Sequence, residues 1–150
     1  YYTLSWTERF FDQIWHDWYP ARNDNRHKLT VNATHRFNGK FDMYMQWNYH
    51  TGDRTTIPTQ IIDGHLYYSN PYNHKLPDYH RLDIGFNFRK TTRRGNESIW
   101  NLSIYNAYCR MNPLFAMVST TIREDKVEDY KFVTLGVLPI IPTFSYTLKF

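Results

Sequence analysis

At 150 residues the chain has the length of one domain, and its single cysteine, Cys109, allows neither an internal disulfide nor a Cys-rich zinc motif. Aromatic residues make up 19% of it while mean hydropathy is −0.68, so apolar and polar side chains must be interleaved. The net charge of +4 comes from 18 Lys and Arg dispersed among 14 Asp and Glu, without the basic stripe that nucleic acid needs. The longest uncharged apolar run, LGVLPIIP, is far shorter than the ~20 residues of a membrane-spanning helix.

In chain order, the opening YYTLSWTERF fits a strand with Tyr2, Leu4 and Trp6 opposite Thr3, Ser5 and Thr7. The stretch ERFFDQIWHDWY follows, placing Phe10, Phe11, Ile14, Trp15 and Trp18 at helical spacing. It predicts a short helix inside a long connection, Glu8 to Asn25. KLTVNATHRF then alternates, with Leu29, Val31, Ala33 and Phe37 on one parity and Lys28, Thr30, Asn32, Thr34 and Arg36 on the other. Asn38-Gly39-Lys40 supplies a tight reversal, because Asn and Gly accept turn geometry cheaply. FDMYMQWNYH returns with Phe41, Met43, Met45, Trp47 and Tyr49 on one face and Asp42, Tyr44, Gln46, Asn48 and His50 on the other.

A long connection, Thr51 to Tyr79, leads to RLDIGFNFRK, in which Leu82, Ile84, Phe86 and Phe88 oppose Arg81, Asp83, Gly85, Asn87 and Arg89. The short TTRRGNE precedes SIWNLSIYNAY, whose face of Trp100, Leu102, Ile104 and Tyr108 is interrupted by Asn106. That residue requires a bulge or a position above the apolar zone. This strand is expected to run from 98 to about 121, with REDKVED as a hairpin and Lys131 to Phe150 as one long returning strand. The last run sets Phe144, Tyr146, Leu148 and Phe150 against Thr143, Ser145, Thr147 and Lys149.

Alternation suits a soluble sandwich with one wet face or a transmembrane barrel with lipid outside and water inside. Charge placement separates them. The apolar parity of the four clearest runs carries no Lys, Arg, Asp or Glu, and apart from tyrosines His35 is its one titratable residue, whereas Lys28, Arg36, Asp42, Arg81, Asp83, Arg89 and Lys149 lie on the other. Aromatics gather toward run ends, as interfacial girdles do, and short turns alternate with long loops. The expected fold is therefore an all-β, antiparallel transmembrane barrel fragment of six strands. Since even small membrane barrels have about eight strands, the partners are expected upstream, and a start at YYTLSW without a leader agrees with a piece of something longer.

Four segments in order, YPARNDNRHKLTVNATHRFNGKFDMYMQWNYHTGDRTTIPT, YHRLDIGFNF, SIYNAYCRMNP and LPIIPTFSYTLKF, make up half of the chain and are spread along it from residue 19 to its last residue. They resemble the late barrel of TonB-dependent outer-membrane receptors of the Bacteroidetes kind. The resemblance implies that residues 1–150 are the C-terminal part of a barrel of roughly 22 strands whose plug domain lies outside this chain. It further implies uptake of a scarce nutrient (siderophore, vitamin or glycan), with TonB acting through the plug. The pattern Phe144, Tyr146, Leu148 and Phe150 resembles the C-terminal signal read by the barrel-assembly machinery, and the implied location is the bacterial outer membrane, in contact with its lipid. The rival readings are a soluble carbohydrate-binding sandwich and a small complete barrel.

Candidate ligand contacts in the long loops are Trp15, Trp18, Tyr19, Tyr67, Tyr68, Tyr72 and Arg54, since exposed aromatics stack on rings. The same aromatics can instead pack loop on loop. Arg22, Arg26, Arg54 and Asp53 can meet a charged ligand or pair with one another. His65, His74 and His80, with Asp63 and Asp78 nearby, show no metal spacing, so no metal or other cofactor is assigned. Ser103 and His50 suggest no catalytic pair, and no catalytic residue is assigned.

Overall fold

The computed structural model describes residues 1–93, 95–136 and 138–149, and within them the chain is built of antiparallel strands without a helix. Among the described residues no helix is long and apolar enough to cross a membrane, which bears only on helices. Six strands make the main sheet: β1 (Tyr2–Leu4), β4 (His27–Arg36), β5 (Phe41–His50), β10 (Tyr79–Thr91), β11 (Glu97–Tyr105) and β14 (Ile141–Lys149), in that spatial order. The other strands form two-stranded pairs in the long connections. They are β2 (Glu8–Phe11) with β3 (Trp15–Pro20), β6 (Arg54–Thr55) with β9 (His74–Lys75), β7 (Pro58–Ile62) with β8 (His65–Tyr68), and β12 (Pro113–Arg123) with β13 (Lys126–Gly136).

The register carries each parity intact across the sheet. Val31 faces Trp47, which faces Leu82; Met43 faces Phe86, which faces Leu102, which faces Phe144. Side chains alternate with period two, so a one-residue slip in any pair would send its apolar set to the wrong side. The Asn38 turn helps set the β4–β5 register: its Oδ1 accepts the Lys40 and Phe41 N–H groups, both at 2.8 Å. At Gly85 the facing Tyr44 ring lies over the glycine and fills the space a side chain would take.

Burial is inverted relative to a water-soluble sheet. Val31 is 45% exposed, Trp100 46%, Leu102 47% and Phe144 61%, so the apolar face is open at β4, β11 and β14, and its residues on β5 are half-buried. The buried apolar residues Tyr19, Ala21 and Leu76 sit instead among the long loops at one end of the sheet. The sheet is open. Among the described residues β1 and β14 are its edges, and β1 pairs with β4 only over Leu29, Lys28 and His27.

Three expectations are corrected. The aromatic segment after Glu8 is the β2–β3 hairpin and not a helix, turning where the Ile14 N–H donates to Phe11 O (2.9 Å). A lone helix of that length is marginal, and bulky aromatics fit a strand surface well. The strand beginning at 98 ends at Tyr105 and does not run on to 121. Asn106 has φ 53°, a region Asn tolerates, and is buried as an anchor: its Nδ2 donates to Arg110 O (2.9 Å) and Leu138 O (3.0 Å), and its N–H to Asp83 Oδ1 (3.0 Å).

The returning strand, finally, is two. β13 pairs with β12 outside the main sheet, and the chain re-enters as β14 after Leu138 (φ 72°) and Pro139, residues that break a ladder. The turn expected within REDKVED is present, with Glu124 (φ 49°) and Asp125 (φ 60°) both left-handed, as a two-residue hairpin turn requires.

Candidate functional site

The long connections fold together through backbone bonds that bring distant arginines side by side. The Arg54 N–H donates to Arg22 O (2.7 Å) and the Leu76 N–H to Asp53 O (2.8 Å), while Arg54 and Thr55 pair with Lys75 and His74. Beneath them Asp24 is buried. It accepts the Thr7 N–H (3.1 Å) and faces Arg54 Nε at 3.5 Å and Arg26 Nε at 3.7 Å. Asn25 Nδ2 donates to Thr51 O (2.7 Å) and Asp53 Oδ1 (2.6 Å), tying the loop before β4 to the loop after β5. A cavity of about 350 Å³ opens above this base. Arg22, Arg54, Thr55, Thr56 and Tyr72 line it, with Leu76, Phe115 and Ala116 as its apolar part.

Asp78 closes the base from the β10 side. Its carboxylate accepts the Tyr49 hydroxyl (2.7 Å) and the Gly52 N–H (2.9 Å) and faces Lys75 Nζ at 3.2 Å. Burial pushes its pKa up, but the bonds from Tyr49 and Gly52 together with Lys75 outweigh that and hold it below the ordinary carboxylate value. A depressed folded pKa means that the stabilisation is present above the unfolded value near 4 and is lost as pH falls through the folded one. The urea midpoint of the wild type is therefore expected to fall more steeply than that of Asp78→Asn as pH drops from 5 to 3. The excess is small, since the side chain is 38% exposed. Parallel curves for the two proteins would count against this role.

A second cluster stands on the polar face of the sheet, near the same end. The Arg81 guanidinium pairs with Asp83 (2.8 Å), donates to the Tyr79 (2.9 Å) and Tyr105 (2.6 Å) hydroxyls, and lies 4.1 Å from the centre of the Tyr105 ring. His50 stacks on Tyr79 at 4.6 Å. Cavities of about 280 and 300 Å³ share Tyr105 in their walls, the second also lined by Tyr44, Gln46 and Ser103. Toward the short turns this face continues as a ladder in which Asn101 donates to Asn87 (2.7 Å) and Asn87 to Asp42 (2.9 Å), with Arg89 paired to the same carboxylate. On the apolar face Trp100 Nε1 donates to Ser98 Oγ (3.1 Å) and Ser98 Oγ to the Tyr146 hydroxyl (3.3 Å), a chain formed without a charged side chain.

The sequence-predicted contacts fall into separate places. Tyr72, with φ 53°, and Arg54 share the 350 Å³ cavity. Tyr19 is 3% exposed and stacks beneath Tyr72 at 6.3 Å, so it supports the site and offers no surface to a ligand. Trp15 and Trp18 are exposed on β3, where Trp18 packs on Phe10 at 5.7 Å, and Tyr67 and Tyr68 are exposed on β8. Phe144 and Tyr146 pack on Trp100 at 5.6 and 4.8 Å on the apolar face, and Leu148 is half-buried. Phe150 lies outside the described residues.

His74 packs edge-on against Phe132 and His80 Nδ1 lies 2.7 Å from the Tyr108 hydroxyl. No group of three His, Cys, Asp or Glu able to hold a metal gathers among the described residues. Ser103 faces Gly85 and His50 faces Tyr79, six residues apart on β10, which at ~3.4 Å per residue separates them by roughly 20 Å.

Sequence reasoning missed the Arg81–Tyr105 cluster. Its signal was present: Tyr79, Arg81 and Asp83 share the polar parity of one run, and Tyr105 shares it on the next. No protein-family model matches the chain, and neither a curated protein nor a solved structure does.

Proposed function

We propose that this chain is part of the wall and mouth of a TonB-dependent receptor in the bacterial outer membrane, which captures a scarce nutrient and admits it under TonB control. The apolar face carries the reading. It runs unbroken across five strands, free of Asp, Glu, Lys and Arg through their central stretches, and stays open, while the opposite face is knitted by Asp42, Asn87, Asn101 and Arg81. Hydrocarbon on one side and a wet interior on the other meet both requirements at once.

The two open edges fit as well, because an unpaired edge in hydrocarbon leaves backbone groups without partners. Further strands of a larger barrel would pair them. The long connections then stand outside the cell around the ligand's entry path, and the assembly machinery reads the alternating aromatic β14. The plug through which TonB acts would be supplied by another part of the protein.

The test is a spin-label scan of residues 99–104 in Cys109→Ser background, using the protein from its complete reading frame in lipid bilayers. Labels at Trp100, Leu102 and Ile104 are expected to collide freely with dissolved oxygen and rarely with a water-soluble nickel chelate. Those at Ile99, Asn101 and Ser103 should show low oxygen access. Shielding of Leu102 from both reagents would indicate a second protein layer and overturn the reading in favour of a sandwich.

A further inference from the structure

Among the residues lining the 350 Å³ cavity there are two arginines and no Asp or Glu. The backbone bond from Arg54 N–H to Arg22 O holds the two on adjoining segments, so their convergence follows from the fold and not from side-chain chance. Arg54 is held from behind. Asp24, itself buried, faces its Nε, and among the described residues neither the terminal nitrogens of Arg54 nor the Arg22 guanidinium donates a hydrogen bond to protein. The Asp24 charge is shared by Arg26 and Arg54, which leaves Arg22 as surplus positive charge at the rim.

The remaining polar lining is weighted toward donors. Guanidinium groups have no acceptor, and Thr56 Oγ1 already accepts the Tyr72 N–H at 2.9 Å, which leaves its own proton to give. A neutral polyol brings as many donors as acceptors and would leave many of its hydroxyl protons unmatched here. An oxyanion accepts at every oxygen and meets forked guanidinium donors in paired geometry. The other wall, with Tyr72, Leu76 and Phe115, offers an apolar surface against which a ring can lie. The volume is at the small end of the roughly 300–1,000 Å³ of ligand pockets, so it suits one charged end of a larger molecule.

We propose that this cavity is a subsite for a ligand carrying a carboxylate or phosphate on a ring-like body, with Arg22 and Arg54 as the oxyanion clamp and Tyr72 as the stacking surface. As the ligand chemistry of the receptor described above, it rests on that reading, though the cavity itself is made wholly by the loop end. An acidic sugar supplies this chemistry through its carboxylate and a phosphorylated sugar through its phosphate.

The experiment is calorimetric titration of the protein from its complete reading frame, in detergent, with digalacturonate, its neutral counterpart galactobiose, and galactose 6-phosphate. At least one oxyanion probe is expected to bind about ten-fold or more tightly than galactobiose, and Arg22→Gln to remove most of that advantage. Arg22 is exposed, so the variant should keep the wild-type proteolysis pattern; Arg54→Lys, which keeps a charge opposite Asp24 but loses the fork, should weaken binding as well.

A preference for digalacturonate assigns a carboxylate source, and a preference for the phosphate assigns the other. Equal binding of galactobiose, or unchanged oxyanion binding in both variants, would overturn the proposal. Arg22-dependent binding by a protein whose spin-label scan shows no lipid contact would overturn the receptor reading and leave the subsite standing. A lipid-facing scan without oxyanion binding would do the reverse.

Discussion

Gly52→Ala is expected to take apart the loop end while leaving the sheet in place. A Cβ on Gly52 would lie 2.6 Å from the Leu76 carbonyl carbon, 2.8 Å from Pro77 O, and closer still to Leu76 O. All three are backbone atoms, pinned by Leu76 N–H donating to Asp53 O, so no side-chain rotation can relieve the contact. Overpacking of an ordinary core costs about 1–3 kcal/mol, and a collision with fixed backbone belongs at or above the top of that range. The Gly52 N–H bond to Asp78 and the ladder between Arg54–Thr55 and His74–Lys75 should fail together, since both depend on the same approach. Hydrogen exchange should show lost protection over residues 53–78 with β11 unchanged. Gly39→Ala, where an added Cβ meets nothing within 4 Å, is the control. Wild-type protection in Gly52→Ala would show that the two loops are not joined as described.

The second large effect concerns which face a charge is placed on. Leu102 lies near the middle of β11 between Phe86 and Phe144, and its neighbour Ser103 lies between Gly85 and Thr143 on the polar face. In a bilayer, Leu102→Lys should cost about 2–4 kcal/mol, while Ser103→Lys should change stability far less, because on the proposed reading its ammonium group meets a wet interior. Leu4→Lys at the loop end of the sheet should cost less than Leu102→Lys, since the penalty falls toward the interface. Urea unfolding from lipid vesicles would measure all three. Equal costs at 102 and 103, or no dependence on position along the strand, would contradict lipid as the outer solvent.

Much of the sheet was legible because period-two alternation is a local property. Once Val31, Trp47, Leu82 and Leu102 are placed on one parity, only a few registers keep them together, and the Asn38-Gly39 turn selects among these for β4 and β5. Strand ends were less legible because they depend on distant partners. β11 stops where Asn106 reaches Leu138 O and Asp83, contacts 32 and 23 residues away in sequence, and no neighbouring residue announces them. The β2–β3 hairpin was misread because its aromatics satisfy helical spacing and strand packing alike. At the candidate site, Arg54 and Tyr72 were visible as loop residues of suitable chemistry, while the Arg54–Arg22 pairing and the burial of Tyr19 arise from loop-on-loop folding that no local pattern encodes.

On the receptor reading, the sheet edges matter before the chain reaches the membrane. Beyond Thr30, whose N–H and carbonyl still bond Tyr1, the outer side of β4 presents open backbone groups, as does the free side of β14, and the apolar face beside both is uncovered. In water these are the two features that drive strands to join indiscriminately, edge to edge and face to face. On the receptor reading, a newly made chain of this kind has no safe resting state in an aqueous compartment, so its yield is a race between escorted delivery and self-association.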